Sequence, residues 1–225
     1  MKPHISNQKT AALTLIEVVV VVVMIAVLAL IILPTFSGGP HHAPRINCVN
    51  NLKQIGLGYR IWIGDQGRDY QTQISVTNGG VRELVQSGIA YVSYQVMSNE
   101  LYTPKILICP SDADRFAATN FSTGFGNKNV SYFVGVDASE MLPLTLLSGD
   151  DNFEIGGVPV KSGLLQFSTN TPIAWTTARH NRAGNIGFAD GSVESFSNTS
   201  LTNWLQSPTN WLQKIGLTTN RLAIP

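Results

Sequence analysis

The pattern of apolar and polar positions divides the chain near residue 34. Leu13 to Leu33 form one nearly unbroken apolar run, LTLIEVVVVVVMIAVLALIIL, with a single carboxylate, Glu17, near its start. As a helix rising ~1.5 Å per residue the run would be about 30 Å long, the thickness of a bilayer's hydrocarbon core. It predicts a transmembrane helix over 13–33, behind a polar leader over 1–12 that carries Lys2 and Lys9. A charge in such a run costs up to ~3 kcal/mol at the bilayer centre, which makes Glu17 a functional suspect. The plainer reading has it snorkelling toward the headgroups. Lys2 and Lys9 ahead of the run, against Arg45 and Lys53 beyond it, favour a cytoplasmic N-terminus. A secretory signal peptide fits poorly, because the run is long for that purpose and no A-x-A site follows it.

The apolar pattern stops at Pro34. Three prolines and two glycines between 34 and 44 predict a break, with His41 and His42 as solvated linker residues rather than a metal-binding pair. A helical pattern resumes over 45–63. Cys48, Leu52, Ile55, Tyr59 and Trp62 recur at alternating four- and three-residue spacing, one apolar stripe that would pack against a head formed by 64–225. Within the head, 131–136 (SYFVGV) reads as a strand, and 82–87 as a short helix. Asn185 to Ala189 and Ser192 to Phe196 read as paired strands, with Asp190-Gly191 as a two-residue type I′ turn between them that sets Phe188 against Val193. His180 lies upstream in a loop, from which it could bond back onto that hairpin. Asn203-Trp204-Leu205-Gln206 recurs as Asn210-Trp211-Leu212-Gln213, two short helical turns laying Trp and Leu on the head.

Composition narrows the chemistry. Charged residues are few and the formal net charge is +1, with no polybasic patch, so nucleic acid is excluded as a natural partner. The two cysteines, Cys48 and Cys109, are too few for a disulfide scaffold or a zinc site of the usual four-ligand Cys/His kind. They could bridge helix to head or stand as two buried free thiols. Asp112-Ala113-Asp114 and Gly149-Asp150-Asp151-Asn152 read as solvated acidic turns. Calcium favours such oxygen clusters, but neither fits an EF-hand loop, so no cofactor is assigned beyond that option. His180 and Asp190 could belong to a hydrolytic triad, but no nucleophile motif accompanies them, and no catalytic or metal-binding residue is assigned.

Two sets of residues carry a resemblance. Ala12-Leu13-Thr14-Leu15-Ile16-Glu17 behind a basic leader resembles the type IV prepilin processing signal, with Ala12 for the usual Gly and Leu13 for the usual Phe. Cys48-Val49-Asn50-Asn51-Leu52-Lys53-Gln54-Ile55-Gly56-Leu57, then Ile108-Cys109-Pro110-Ser111-Asp112, then His180 followed after nine residues by Asp190-Gly191, resemble the pilin-like proteins with an H-x(9)-D-G motif. The resemblance implies an α+β pilin-like fold, with a long N-terminal membrane helix and a head built on an antiparallel β-sheet. It also implies a pseudopilin-type subunit of a type II secretion or type IV pilus-like filament, not an enzyme. A prepilin peptidase would cut between Ala12 and Leu13 and methylate the new amine of Leu13. Glu17 would pair with that amine in a neighbouring subunit, two opposite charges relieving each other's burial. Partners would be other pilin-like subunits, an inner-membrane assembly platform and membrane lipid. The chain would be a single-pass inner-membrane protein with its head in the periplasm. A tethered periplasmic binding module that never polymerises, and an anchored hydrolase, are the alternatives.

Overall fold

The computed structural model describes residues 14–32, 42–67, 69–207 and 219–225. The chain divides into two units, Met1–Pro40 and His41–Pro225. The first contains helix α1 (Leu15–Ile32), 18 residues long. Thr14 starts it. The Glu17 amide donates to Thr14 Oγ1 at 3.4 Å, and Glu17 Oε2 accepts from both the Thr14 amide and the Thr14 hydroxyl at 2.8 Å. This is a capping box, T-x-x-E, two orphan donors of the first turn satisfied reciprocally.

Two expectations fail here. At 18 residues α1 is about 27 Å long, short of the ~20 apolar residues typical of a span. Among the described residues no helix is long and apolar enough to cross a membrane. The long N-terminal membrane helix over 13–33 is therefore not found. The single-pass inner-membrane placement, with its cytoplasmic N-terminus and periplasmic head, is left unsupported. The physical reason lies at the start of the run: the capping box begins the helix after Thr14, so Thr14 adds no helical length. What does hold for the second unit is an α+β head with antiparallel sheets.

The second unit opens with α2 (His42–Gln66). It starts before Arg45 because Pro44 falls in the first turn, where its missing N–H goes unneeded and its fixed φ suits a helix. The stripe Cys48, Leu52, Ile55, Tyr59 and Trp62 is buried throughout. Three short helices follow, α3 (Arg82–Gln86), α4 (Tyr91–Val96) and α5 (Ser98–Leu101). The strands are β1 (Tyr132–Gly135), β2 (Leu146–Asp150), β3 (Phe153–Ile155), β4 (Val158–Pro159), β5 (Gly163–Ser168), β6 (Ile173–Trp175), β7 (Ala183–Phe188), β8 (Val193–Ser197) and β9 (Thr219–Ile224), with α6 (Asn198–Gln206) between the last two. Six strands form one antiparallel sheet in the order β5-β9-β1-β2-β7-β8, and three form another in the order β4-β3-β6. The C-terminal strand β9 thus lies inside the large sheet rather than at its edge.

The head has three layers because both faces of the large sheet are covered. Alternate residues of a strand point to opposite faces. On β1, Tyr132 and Val134 join a core shared with Cys48, Leu52, Ile55 and Tyr59 of α2. Phe133 points the other way, into a second core with Phe153, Trp175, Phe188 and Phe196. β9 does the same, Ala223 toward the helices and Leu222 and Ile224 toward the small sheet. That is why β1 reads as a continuous apolar run. α6 closes the second core, with Trp204 5.5 Å from the ring of Phe188 and 5.8 Å from that of Phe196. The second Trp-containing repeat, 210–213, lies outside the described residues.

The fit in this second core is tight at Gly184. A β-carbon there would stand 2.6 Å from three atoms of the Trp175 indole, which is fully buried and stacked on Phe153 at 4.2 Å. Gly184→Ala should therefore cost about 1–3 kcal/mol through overpacking. Urea unfolding followed by tryptophan fluorescence measures it, and a variant as stable as the wild type would mean that the indole has room to shift.

Candidate functional site

The polar residues of the head converge where α2 meets the large sheet. Cys48, the first stripe residue of α2, is joined by a disulfide to Cys109, 61 positions later, with Cα atoms 5.2 Å apart. His180 comes in from a turn in which three successive residues take left-handed backbone, with φ of 50° at His180, 51° at Asn181 and 60° at Arg182. Such angles are uncommon for residues with a β-carbon. They aim the imidazole inward: Nε2 lies 3.2 Å from Cys109 Sγ and 3.6 Å from Asp150 Oδ2, and the side chain is 1% exposed. Asp150 ends β2 and is fully buried. Its Oδ2 accepts from the Asn185 amide at 2.8 Å and from Asn185 Nδ2 at 2.9 Å, while Oδ1, also buried, has no partner among the described residues. One ligand-type atom from each of Cys48, Cys109, Asp150 and His180 lies within 4.8 Å of all the others.

Beside this cluster runs a chain of ion pairs. Arg179, nearly buried, bonds to Asp151, stands 3.4 Å from Asp112 Oδ2, and donates to the Ser131 carbonyl at 3.0 Å. Arg115 bridges the same two carboxylates, 2.7 Å from Asp151 and 3.3 Å from Asp112. Ala113 and Asp114 are exposed, but Asp112 and Asp151, one from each of the two stretches that the sequence suggests are solvated acidic turns, therefore meet with their side chains buried. They are drawn in because two arginines neutralise them, and those guanidinium groups occupy the carboxylate oxygens that a calcium ion would require.

Charge in this region follows burial and neighbours. Burial pushes the Asp150 carboxyl up to about 6, against the pull of Arg179 and the two bonds from Asn185. Burial, with the nearby cations Arg45 and Arg179, holds His180 down at about 4, so the imidazole is neutral at pH 7. For Asp112 burial acts upward but is outweighed by Arg179, the Ser131 hydroxyl, the Asp114 amide and Arg115, and its carboxyl sits below its ordinary value.

His180 and Asp190 are not brought together. His180 faces Asp150 and Cys109 rather than the hairpin, and Asp190 sits at the tip of the β7–β8 hairpin, where its Oδ1 accepts from the Ser192 amide at 2.8 Å. The hairpin itself differs from the expected type I′ turn. Gly191 has φ of +83° but Asp190 is not in the left-handed region, the Gly191 amide donates to the Phe188 carbonyl at 2.9 Å, and the Phe188 amide donates to the Ser192 carbonyl at 2.9 Å. The loop is three residues, Ala189-Asp190-Gly191, with only the last left-handed, so Val193 pairs with Gly187 rather than Phe188. The tip docks on the helical layer: Arg60 of α2 donates to the Asp190 carbonyl, and the Tyr70 hydroxyl donates to the Ala189 carbonyl at 2.6 Å. The Ala189 amide also donates to the Thr145 carbonyl at 3.0 Å and the Asp190 amide to the Pro143 carbonyl at 2.9 Å, contacts from outside the hairpin that strand-pairing rules do not contain. Ala12 and Leu13 lie outside the described residues. Glu17 is in the other unit, in the capping box.

Asp150, Asp151, Arg115 and Arg179 escape sequence reasoning because nothing in their local pattern marks burial. The Asp-Asp-Asn triplet after Leu146-Leu147-Ser148-Gly149 is the one available signal, and it reads equally well as a turn. Comparison of the chain with protein-family models, curated proteins and solved structures finds no match.

Removing Arg179 would leave Asp112 and Asp151 buried with only Arg115 between them. Arg179→Ala should cost about 3–5 kcal/mol, read from denaturant midpoints, and a loss under 1 kcal/mol would show that the network relaxes freely. A second prediction concerns pH. Asp150 has a folded pKa of about 6 against an ordinary 3.8, so its contribution to stability is present below 3.8 and lost as pH rises through 6. His180 has a folded pKa of about 4 against an ordinary 6.5, so its contribution is present above 6.5 and lost as pH falls through 4. The two slopes oppose each other in the wild type. Asp150→Asn removes the first, and its stability should rise more steeply than the wild type's between pH 4 and 6, by up to about 1.4 kcal/mol per pH unit. Parallel curves for the two proteins would contradict this assignment.

Proposed function

We propose that the chain is a pilin-like subunit, cut between Ala12 and Leu13 by a prepilin peptidase and assembled through α1 with further copies or related subunits into a type II secretion or type IV pilus-like filament. One observation carries this reading. Every large apolar side chain from Leu15 to Leu30 is exposed, from 45% at Val20 to 83% at Leu15. A continuous apolar surface of this extent marks a surface that another molecule covers. Interdigitation with the same helix of other subunits would cover it on all sides.

Glu17 supports the same reading. Its carboxylate is held by Thr14, but among the described residues it makes no ion pair. In a helical bundle that charge would need a counter-ion, and the amine of a neighbour's Leu13 is the one that processing at Ala12 would create. The same carboxylate thus has a role within its own chain and one between chains. Two substitutions separate them. Glu17→Gln keeps a capping-box residue at the third helical position but removes the charge; Thr14→Ala keeps the charge but breaks the box. Sedimentation of the processed chain should show assembly falling at least tenfold for Glu17→Gln and little for Thr14→Ala. Equal assembly of the Glu17→Gln chain, or a mature N-terminus still beginning at Met1 by mass spectrometry, would overturn the proposal.

A further inference from the structure

The cluster at the helix–sheet junction contains more ligand chemistry than a disulfide uses. Zinc takes thiolate sulfur at ~2.3 Å and imidazole nitrogen or carboxylate oxygen at ~2.0–2.2 Å, so the edges of its tetrahedron are roughly 3.3–3.8 Å. The separation of His180 Nε2 from Cys109 Sγ is 3.2 Å and that from Asp150 Oδ2 is 3.6 Å. All four candidate ligand atoms fall within 4.8 Å of one another. The two sulfurs are bonded to each other and must separate to bind a common ion.

We propose that the chain with its two thiols unjoined holds one zinc ion, or another thiophilic divalent cation, through Cys48, Cys109, His180 and Asp150. Several independent features fit. The His180 side chain is 1% exposed, and its Nε2 faces Cys109 Sγ and Asp150 Oδ2. Asp150 is fully buried; its Oδ2, the oxygen 3.6 Å from His180, also accepts from Asn185, the kind of outer contact that fixes a metal-binding carboxylate, and its Oδ1 has no hydrogen-bond partner among the described residues. Two thiolates and one carboxylate around a dication leave one net negative charge, and the buried guanidinium of Arg179 directly precedes His180 in the chain. All four protein ligands are internal and no position is left for water, which makes the site structural rather than catalytic.

Binding releases the two thiol protons to solvent as each sulfur takes a bond to the ion. A small-molecule disulfide reverses it: one cysteine thiolate attacks it and expels a first small thiolate, the second cysteine thiolate attacks the mixed disulfide and expels the other, the Cys48–Cys109 bond forms, the two expelled thiolates take two protons from solvent, and the cation leaves. The bound ion and the disulfide are thus alternative clasps for the same junction, and one excludes the other. This inference does not depend on the filament reading.

The test uses the full chain, reduced with a phosphine and titrated with cobalt(II) alone, then with zinc(II) in competition. The expected result is one cobalt per chain, with a sulfur-to-cobalt charge-transfer band and the intense visible bands of tetrahedral cobalt, all lost on adding zinc. The chain with its disulfide intact should show neither band. His180→Gln and Asp150→Asn, which keep both thiols, should each weaken zinc tenfold or more, with circular dichroism unchanged; these two variants decide the matter where a Cys48→Ser, Cys109→Ser chain fails to fold. Absence of the charge-transfer band in the reduced wild type, equal binding by the oxidised chain, or undiminished affinity in both His180→Gln and Asp150→Asn would overturn the proposal.

Discussion

The head depends on the junction of α2 with the large sheet. The Cys48–Cys109 bond closes a loop spanning 61 residues, a constraint on the unfolded chain worth about 4 kcal/mol in the loop-closure picture. Next to it, Asp150 at the end of β2 holds the Asn185 amide in β7, and Arg179 reaches the Ser131 carbonyl just before β1. The helical layer, the three central strands and the loop that carries His180 are therefore tied at one place. The hydrophobic cores on either side of the sheet supply most of the driving force, as in any domain. The polar junction decides the register in which those cores meet, because a slip would strand Arg179 or Asp150 without a partner in an apolar interior.

Much of the head was readable from its pattern. The stripe Cys48, Leu52, Ile55, Tyr59 and Trp62 obeys helical spacing, and a helix with one apolar stripe must bury it. The run around Tyr132 to Gly135 is apolar on both faces, which speaks of a strand inside a covered sheet. The start of α1 has a local reason: the T-x-x-E string at Thr14 and Glu17 resembles a processing signal and is also a helix start, which shortens the helix relative to the apolar run. The turn at Asp190-Gly191 was placed in the right position but given the wrong geometry, since contacts from Arg60, Tyr70 and Ser192 choose its form. The junction was not readable at all. Asp112 and Asp151 are about 40 positions apart and Arg179 further still, and burial of a charged residue is a property of its partners, which no local pattern displays.

The two units of the chain solve opposite problems. In the head, apolar side chains are covered by three layers, and the charged ones that lie inside are paired. In α1 the apolar side chains are uncovered and the single charge is met by Thr14 alone. A chain built this way has one part complete by itself and one part that needs other molecules.

That division is the central claim, and analytical sedimentation of two samples tests it most directly: the processed full-length chain and a fragment beginning at His41, each with its thermal unfolding recorded alongside. The account predicts that the fragment remains monomeric and melts within a few degrees of the head in the full chain, while the full chain assembles. A fragment that assembles to the same extent, or one that fails to fold, would contradict it.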